Sequence, residues 1–221
     1  INGVAPVAAP VIGGLLTGSV GWQGIFMILL FIGILLGIGC IRFKESLPTE
    51  KRSKTGVFAT FRSFGIIVHN RRYMLYVLQL AFAQGILFAY IASSPFIIQQ
   101  HYGFSPFAFS ICFAVNAVAI GVAAAISVKF RRTENGTLTG CIGMLVFAIL
   151  QMAALYSGCG FWTYELLMFA LLFMMGLTFT ASTTLAMDCE RRYAGAASAL
   201  LGALCFASGG IVSPLVGLGD I

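Results

Sequence analysis

Seven stretches of the chain are apolar for long enough to cross a bilayer, and polar residues gather almost entirely between them. The stretches cover residues 1–18, 22–41, 73–98, 107–128, 137–156, 161–186 and 194–218, each close to the roughly 20 residues a membrane helix needs. Between the third and fourth, the run His101-Tyr-Gly-Phe-Ser-Pro106 ends one helix and starts the next, with Ser105 placed as N-cap ahead of Pro106. Trp22, Tyr102, Trp162 and Tyr164 fall near the ends of stretches, where amphipathic rings favour the headgroup zone.

The one long connection, residues 42–72, divides in two. From Lys44 to Lys54 it is charged; beyond, Val57, Phe58, Phe61, Phe64, Ile67 and Val68 lie close to one face of a helix, flanked by Arg62, Arg71 and Arg72. That pattern predicts an interfacial helix on the anionic inner leaflet, the alternative being a solvated loop with a few apolar anchors.

Composition agrees with the helix pattern. Hydrophobic residues make up 59% of the 221 and charged residues 9%, with a mean hydropathy of +0.97, whereas a soluble domain carries about a quarter charged residues. The 13 Lys and Arg behind the net charge of +6 form no single patch that would suit a nucleic acid. They sit at 42–72, 129–132 and 191–192, in every second connection, and the connections between are free of them. The alternation predicts that all three clusters face the cytoplasm and that the first helix runs outward. The opening on apolar residues with no initiator Met is the expected mark of a truncated front end. Cys40, Cys112, Cys141, Cys159, Cys189 and Cys205 are scattered with no Cys-x-x-Cys pair, so neither a disulfide frame nor a metal site is expected. A retinal Schiff base would need a Lys within a span, and Lys44, Lys51, Lys54 and Lys129 all lie in connections. An intramembrane aspartyl protease would need two Asp at membrane depth, but Asp188 reads as cytoplasmic and Asp220 as outer-edge. No catalytic residues and no enzyme activity are expected.

An internal echo bears on architecture. Ala9-Pro10-Val-Ile-Gly13-Gly14 in the first stretch recurs as Ser213-Pro214-Leu-Val-Gly217-Leu in the seventh, six helices later and in the same direction. Parallel six-helix repeats build one class of secondary transporter, with substrate held between the halves. On that scheme residues 1–41 are the fifth and sixth helices of the N-terminal half. Residues 42–72 are the cytoplasmic linker, and 73–221 hold helices seven to eleven, the twelfth lying outside the chain.

Polar residues inside spans are costly and therefore informative. With 100° per residue, Tyr76, Gln79, Tyr90, Ser93 and Ser94 share one face about 100° wide of the third stretch, which suits a cavity wall. Singly, each also fits an interhelical hydrogen bond. Asn116 is a lone polar residue in its span, a substrate contact or a packing hydrogen bond, and Gln151 has still less to mark it. Phe173, Met174, Met175, Phe179 and Thr180 could adapt to varied apolar ligands or simply pack. Glu165 is the one carboxylate within a span; it suits proton release, a cationic ligand, or an acid snorkelling at the outer interface. In the seventh stretch Gly195, Ala199, Ala203 and Ala207 form a small-residue row, with Ser198, Gly202, Phe206 and Gly210 beside it, both read as allowing close helix approach.

The residues also resemble a known family. The run Tyr90-Ile-Ala-Ser-Ser-Pro-Phe-Ile-Ile-Gln99, then Tyr102-Gly-Phe-Ser-Pro106 and Phe113-Ala-Val-Asn116-Ala117, resembles the bicyclomycin- and chloramphenicol-resistance (Bcr/CflA) exporters. So does Ala194-Gly-Ala-Ala-Ser-Ala-Leu-Leu-Gly-Ala203, continuing through Gly209-Gly210 to Gly217. These are drug:proton antiporters of the major facilitator superfamily. The resemblance implies an all-α integral membrane protein, a partial bundle of about seven of twelve transmembrane helices, in the bacterial inner membrane as a monomer. It implies export of small amphipathic drugs, driven by a proton gradient with no cofactor, and lipid as the only other partner. Pro10, Gly13 and Gly14 resemble the antiporter motif of the fifth helix, with Ala9 where that family usually has Gly; Pro214 and Gly217 are the echo's counterpart. Tyr76, Gln79, Tyr90, Ser93, Ser94, Asn116 and Phe179 would contact the drug, and Gln151, on the ninth helix, would be structural. The principal proton carrier would lie on the first or fourth helix, outside this chain. Export of a sugar, amino acid or other metabolite on the same fold, or a transporter-like sensor, is the alternative.

Overall fold

The computed structural model describes residues 5–43, 57–130 and 132–217, and every regular element among them is helical. Helix α1 spans Ala5–Arg42, broken at Gly21 (φ 65°, ψ 179°), inside the connection predicted at 18–22. Helix α2 is Val57–Val68 and α3 is Arg71–Pro95, extended by a π-helical turn over Phe96–His101. Then come α4 (Pro106–Ser127), α5 (Thr133–Tyr156) and α6 (Phe161–Cys189), and a single 3-10 turn at Arg191–Tyr193 leads into α7 (Ala194–Val216). Six helices among the described residues are long and apolar enough to cross a membrane. The predicted span at 1–18 enters the described residues at Ala5. The charged stretch Lys44–Lys54, Arg131 and Asp220 lie outside the described residues, as do the surroundings of Pro10, Gly14, Phe58, Phe61 and Arg62.

Local signals place the ends. Asn70 caps α3 by accepting from the Arg72 and Tyr73 amides at 3.1 and 3.3 Å. Ser105 Oγ accepts from the Ala108 amide at 3.2 Å ahead of Pro106, so α4 starts where the Ser-Pro pair predicts. Helix α2 forms over the apolar half of the long connection, and its Ile67 is fully buried against Tyr73, Val77, Ala186 and Ala197.

Contacts between ends show an up-and-down bundle. At one end Asn70 Nδ2 donates to Glu190 Oε1 at 2.6 Å and Tyr73 Oη donates to the Ala197 carbonyl at 2.6 Å. The start of α3 therefore meets the end of α6 and the start of α7. Thr137 and Ser182 share a hydrogen bond of 3.2 Å, which brings the start of α5 to the same end. Arg71, Arg72, Arg191 and Arg192 thus gather there. At the opposite end Tyr102 Oη donates to the Cys159 carbonyl at 2.9 Å, and Phe104 packs on Phe161 with ring centroids 4.2 Å apart.

Helix α6 is the central element, lying against α3, α4 and α5; α7 lies against α3, and α1 runs alongside α4. Backbones come close where side chains vanish. A Cβ on Gly176 would sit 2.5 Å from the Ile120 carbonyl oxygen, and one on Gly140 would sit 2.7 Å from that of Met174. Gly209 of α7 is covered by the Phe88 ring. Among the described residues, the small-residue row Gly195, Ala199, Ala203 and Ala207 of α7 is exposed. The face against α3 runs instead through Ala197, Cys205 and Gly209, with Ser208 Oγ donating to the Ala81 carbonyl at 2.5 Å. A helix this rich in small residues carries several such rows, and the partner's bulk (Phe88 here) decides which one closes.

Candidate functional site

The middle of the bundle is apolar, built from Ala83, Phe113, Met144, Leu171, Leu172 and Met175, with one polar cluster set into it. Asn116 on α4 is its hub. The Nδ2 group donates to Tyr90 Oη of α3 at 3.1 Å and to Glu165 Oε1 of α6 at 2.8 Å. Both Tyr90 and Asn116 are buried, and Tyr90 stacks on Phe113 with centroids 5.2 Å apart. Three further polar atoms of the cluster are buried without a partner: Asn116 Oδ1, Glu165 Oε2 and the hydroxyl of Tyr164. Three helices thus converge on a carboxyl group that no Lys or Arg approaches among the described residues.

Of the three options the sequence leaves for Glu165, this geometry is not that of an acid snorkelling at the outer interface. Position alone puts it one turn from the start of α6, where a side chain could bend outward to water. One face of the start of α6 is covered instead: Phe161 and Tyr164 are buried with Ile98. The Glu165 carboxyl turns inward to Asn116, which lies ten residues, about 15 Å of helix, beyond Pro106. Nor is Asn116 a lone polar residue, since it joins two of the other candidates. Single-helix wheels miss such a trio, because its members meet across three different helices.

The remaining candidates on α3 do not share that environment. Tyr76 packs near the opposite end, against the cluster of Ile67, Val77 and Ala197. Ser93 Oγ returns its hydrogen bond to the Ala89 carbonyl of its own helix at 2.9 Å. Ser94 is fully buried with its hydroxyl unpartnered, and both amide atoms of Gln79 are buried and unpartnered. Phe179 is half-buried beside the apolar middle layer. Gln151 is 7% exposed, with its whole amide unpartnered. Of the motif residues, Gly13 lies within α1 and Pro214 within α7; the Gly217 amide closes α7 by donating to the Pro214 carbonyl at 3.1 Å.

One feature had no polar residue to announce it. A groove of about 310 Å³ runs between α4 and α6, lined by Ala114, Val115, Val118, Ala119 and Val122 and by Phe169 and Phe173. Its α4 lining runs from Ala114 to Val122, on both sides of Asn116 in sequence, and its α6 lining, Phe169 and Phe173, comes four and eight residues after Glu165. The side chains of Tyr90, Asn116 and Glu165 are not among its lining residues. Above them Tyr102, Phe161 and Tyr164 form an aromatic layer, Tyr102 lying 5.6 Å from Phe161 and 5.9 Å from Tyr164 between centroids. Burial pushes the Tyr102 phenol up to about 12, with the neighbouring Cys159 acting in the same direction. Tyr102 therefore remains a hydrogen-bond donor at neutral pH.

Comparison with known proteins gives the family. The chain is 37% identical over its whole length to the "Uncharacterized MFS-type transporter YdgK" of Bacillus subtilis, covering 56% of that protein. It is 27% identical, over 96% of its length, to the "Bicyclomycin resistance protein homolog" of Haemophilus influenzae, covering 54% of it. Against the "Multidrug transporter MdfA" of Edwardsiella ictaluri it is 28% identical over 47% of the chain and 25% of that protein. The chain spans about half the length of the first two relatives. The sequence profile of the Major Facilitator Superfamily matches residues 1–214. With six apolar helices of membrane-spanning length, this is a multi-pass membrane protein, and the chain belongs to the Major Facilitator Superfamily.

Proposed function

We propose that the protein exports small amphipathic compounds in exchange for protons, as a member of the Bcr/CflA group in a bacterial inner membrane. The observation that carries the reading is the Tyr90–Asn116–Glu165 cluster set into the apolar middle of the bundle. Ligand sites are mostly apolar with a few convergent polar groups that fix orientation, and this arrangement matches a molecule with a greasy body and a polar or cationic head. The printed names of two relatives, a bicyclomycin resistance homolog and a multidrug transporter, point to the same substrate class. In this reading residues 73–221 belong to the C-terminal half and supply one wall of the cavity, 42–72 link the halves, and 1–41 close the N-terminal half. Gln79 and Ser94, buried and unpartnered, meet groups of the facing half. The antiporter motif of Pro10, Gly13 and Gly14, echoed by Pro214 and Gly217, makes two helices that rock. The energy source is the proton gradient, and the working unit is a monomer among lipids.

The test is flux through the full-length protein that carries this sequence. Reconstituted vesicles holding an acid interior and an entrapped pH dye should release protons when an amphipathic drug is added. Release should fall severalfold in Tyr90→Phe and in Gln79→Ala. Vesicles that respond to sugars or amino acids but to no amphipathic drug would keep the family and discard this substrate class.

A further inference from the structure

We propose that Glu165 is a proton-binding site in the C-terminal half, read out by rotation of the Asn116 side-chain amide. The inference rests on the antiport reading above and adds to it a second titrating group beyond the one expected outside this chain.

The argument begins with unfilled valences. Asn116 is 0% exposed, and its Nδ2 spends both hydrogens, on Tyr90 Oη at 3.1 Å and Glu165 Oε1 at 2.8 Å. Its Oδ1 is buried with no donor. That scheme fits an ionised Glu165, since a carboxylate only accepts hydrogen bonds. An amide has a nitrogen and an oxygen of nearly equal size, so a half-turn about its last bond exchanges them in place. After the exchange Oδ1 faces Tyr90 and Glu165, and it accepts from the Tyr90 O–H and from a protonated Glu165. Both protonation states therefore have two hydrogen bonds from the same three side chains. The Tyr90 hydroxyl hydrogen turns with the amide, and the two Nδ2 hydrogens pass to the side where Oδ1 lay.

The step itself is a simple transfer. A hydronium ion gives its proton to Glu165 Oε1, an O–H bond forms on the carboxyl, and a neutral water leaves. Nothing is oxidised or reduced. The amide then turns, and Tyr90, which accepted from it before, donates to it afterwards. Tyr90 stacks on Phe113 in the apolar middle of the bundle. The proton is thus registered inside the packed middle of the bundle.

Other groups do not compete for the role. Facing Glu165 are Tyr90 from α3, Cys112 from α4 and Tyr164 beside it on α6, all neutral at physiological pH as phenol or thiol. Beyond Glu134 in its first turn, α5 carries no charged residue, and neither α4 nor α7 carries any. No fixed cation stands in for the proton among these helices.

Infrared difference spectroscopy of the full-length protein, between acid and alkaline pH and without drug, tests this directly. The carbonyl band of a protonated carboxyl should appear on acidification, and isotope-labelled Asn should show a side-chain band shifting with the same midpoint. Both signals should vanish in Glu165→Gln, the neutral isostere. In Tyr90→Phe the carboxyl band should remain while the Asn shift shrinks. Identical spectra for wild type and Glu165→Gln would overturn the proton site; an Asn band that stays still as the carboxyl titrates would overturn the rotation. Should Glu165→Gln fail to fold, Tyr90→Phe still decides, because a spectrum equal to wild type contradicts the shared hydrogen bond. A titrating Glu165 in a protein that moves no drug would sink only the antiport reading. Drug-driven proton flux with a silent Glu165 would sink only this proposal.

Discussion

Tyr73 of α3 donates its phenol to the backbone carbonyl of Ala197 on α7 at 2.6 Å, with both residues buried. The bond fixes the start of α3 against the start of α7, 124 residues away in sequence. Tyr73→Phe removes the donor and leaves a buried carbonyl with one bond fewer. A loss of about 1 kcal/mol is expected, between the value usual for buried hydrogen bonds and the smaller average in membrane proteins. Thermal unfolding of the purified protein in detergent measures it; an unchanged midpoint would mean that the bond contributes nothing net.

Gly176 marks the closest approach of α6 to α4. A methyl group there would meet the Ile120 carbonyl at 2.5 Å, with Ala123 Cβ at 2.8 Å. Gly176→Ala should therefore destabilise by about 1–3 kcal/mol, as overpacking does. Gly121→Ala, where an added Cβ meets nothing within 4 Å, should be neutral or slightly stabilising through helix propensity. Equal melting behaviour of the two variants would contradict the packing described.

Asn70 has two tasks, capping α3 and holding Glu190 at 2.6 Å. Asn70→Ala abolishes both and should cost about 1–2 kcal/mol. Asn70→Asp keeps the cap acceptor but replaces the donor to Glu190 with a second carboxylate. Its stability should recover on acidification, when either carboxyl takes up a proton, and a pH series of melting curves separates the two tasks. A flat series for Asn70→Asp would show that the link to Glu190 carries no weight.

Gln151 of α5 is buried with its entire amide unpartnered. If it is structural, Gln151→Leu should raise stability by roughly 1 kcal/mol, because removing an unsatisfied buried amide removes its desolvation cost. A fall in melting temperature would show instead that the amide has a partner in the full-length protein.

The helices were legible because lipid leaves the sequence little choice. Apolar length, Ser105–Pro106 and the basic clusters place α3 to α7 within a few residues of their observed ends. The π-helical turn after Pro95 was not legible, since nothing in Phe96–His101 separates it from ordinary helix. Tyr90 and Asn116 stood out as costly polar residues, and the structure brings them together. The Glu165 carboxyl, bonded to Asn116, could not be placed from sequence because its surroundings depend on how Phe161 and Tyr164 are covered, a tertiary fact. The groove escaped entirely, as Ala114, Val115, Val118, Ala119 and Val122 look like lipid-facing helix until Phe169 and Phe173 are set opposite.

The corner at Gly21 has a consequence of handedness. Its dihedrals fall where L-amino acids are almost never found, although an added methyl would touch nothing within 4 Å. The space is open to a methyl group, and only chirality forbids one. A D-alanine introduced there by chemical synthesis would sit comfortably, and L-alanine would have to bend the chain out of its mirror-image conformation. Of the genetically encoded residues, the achiral one alone can occupy this bend without strain.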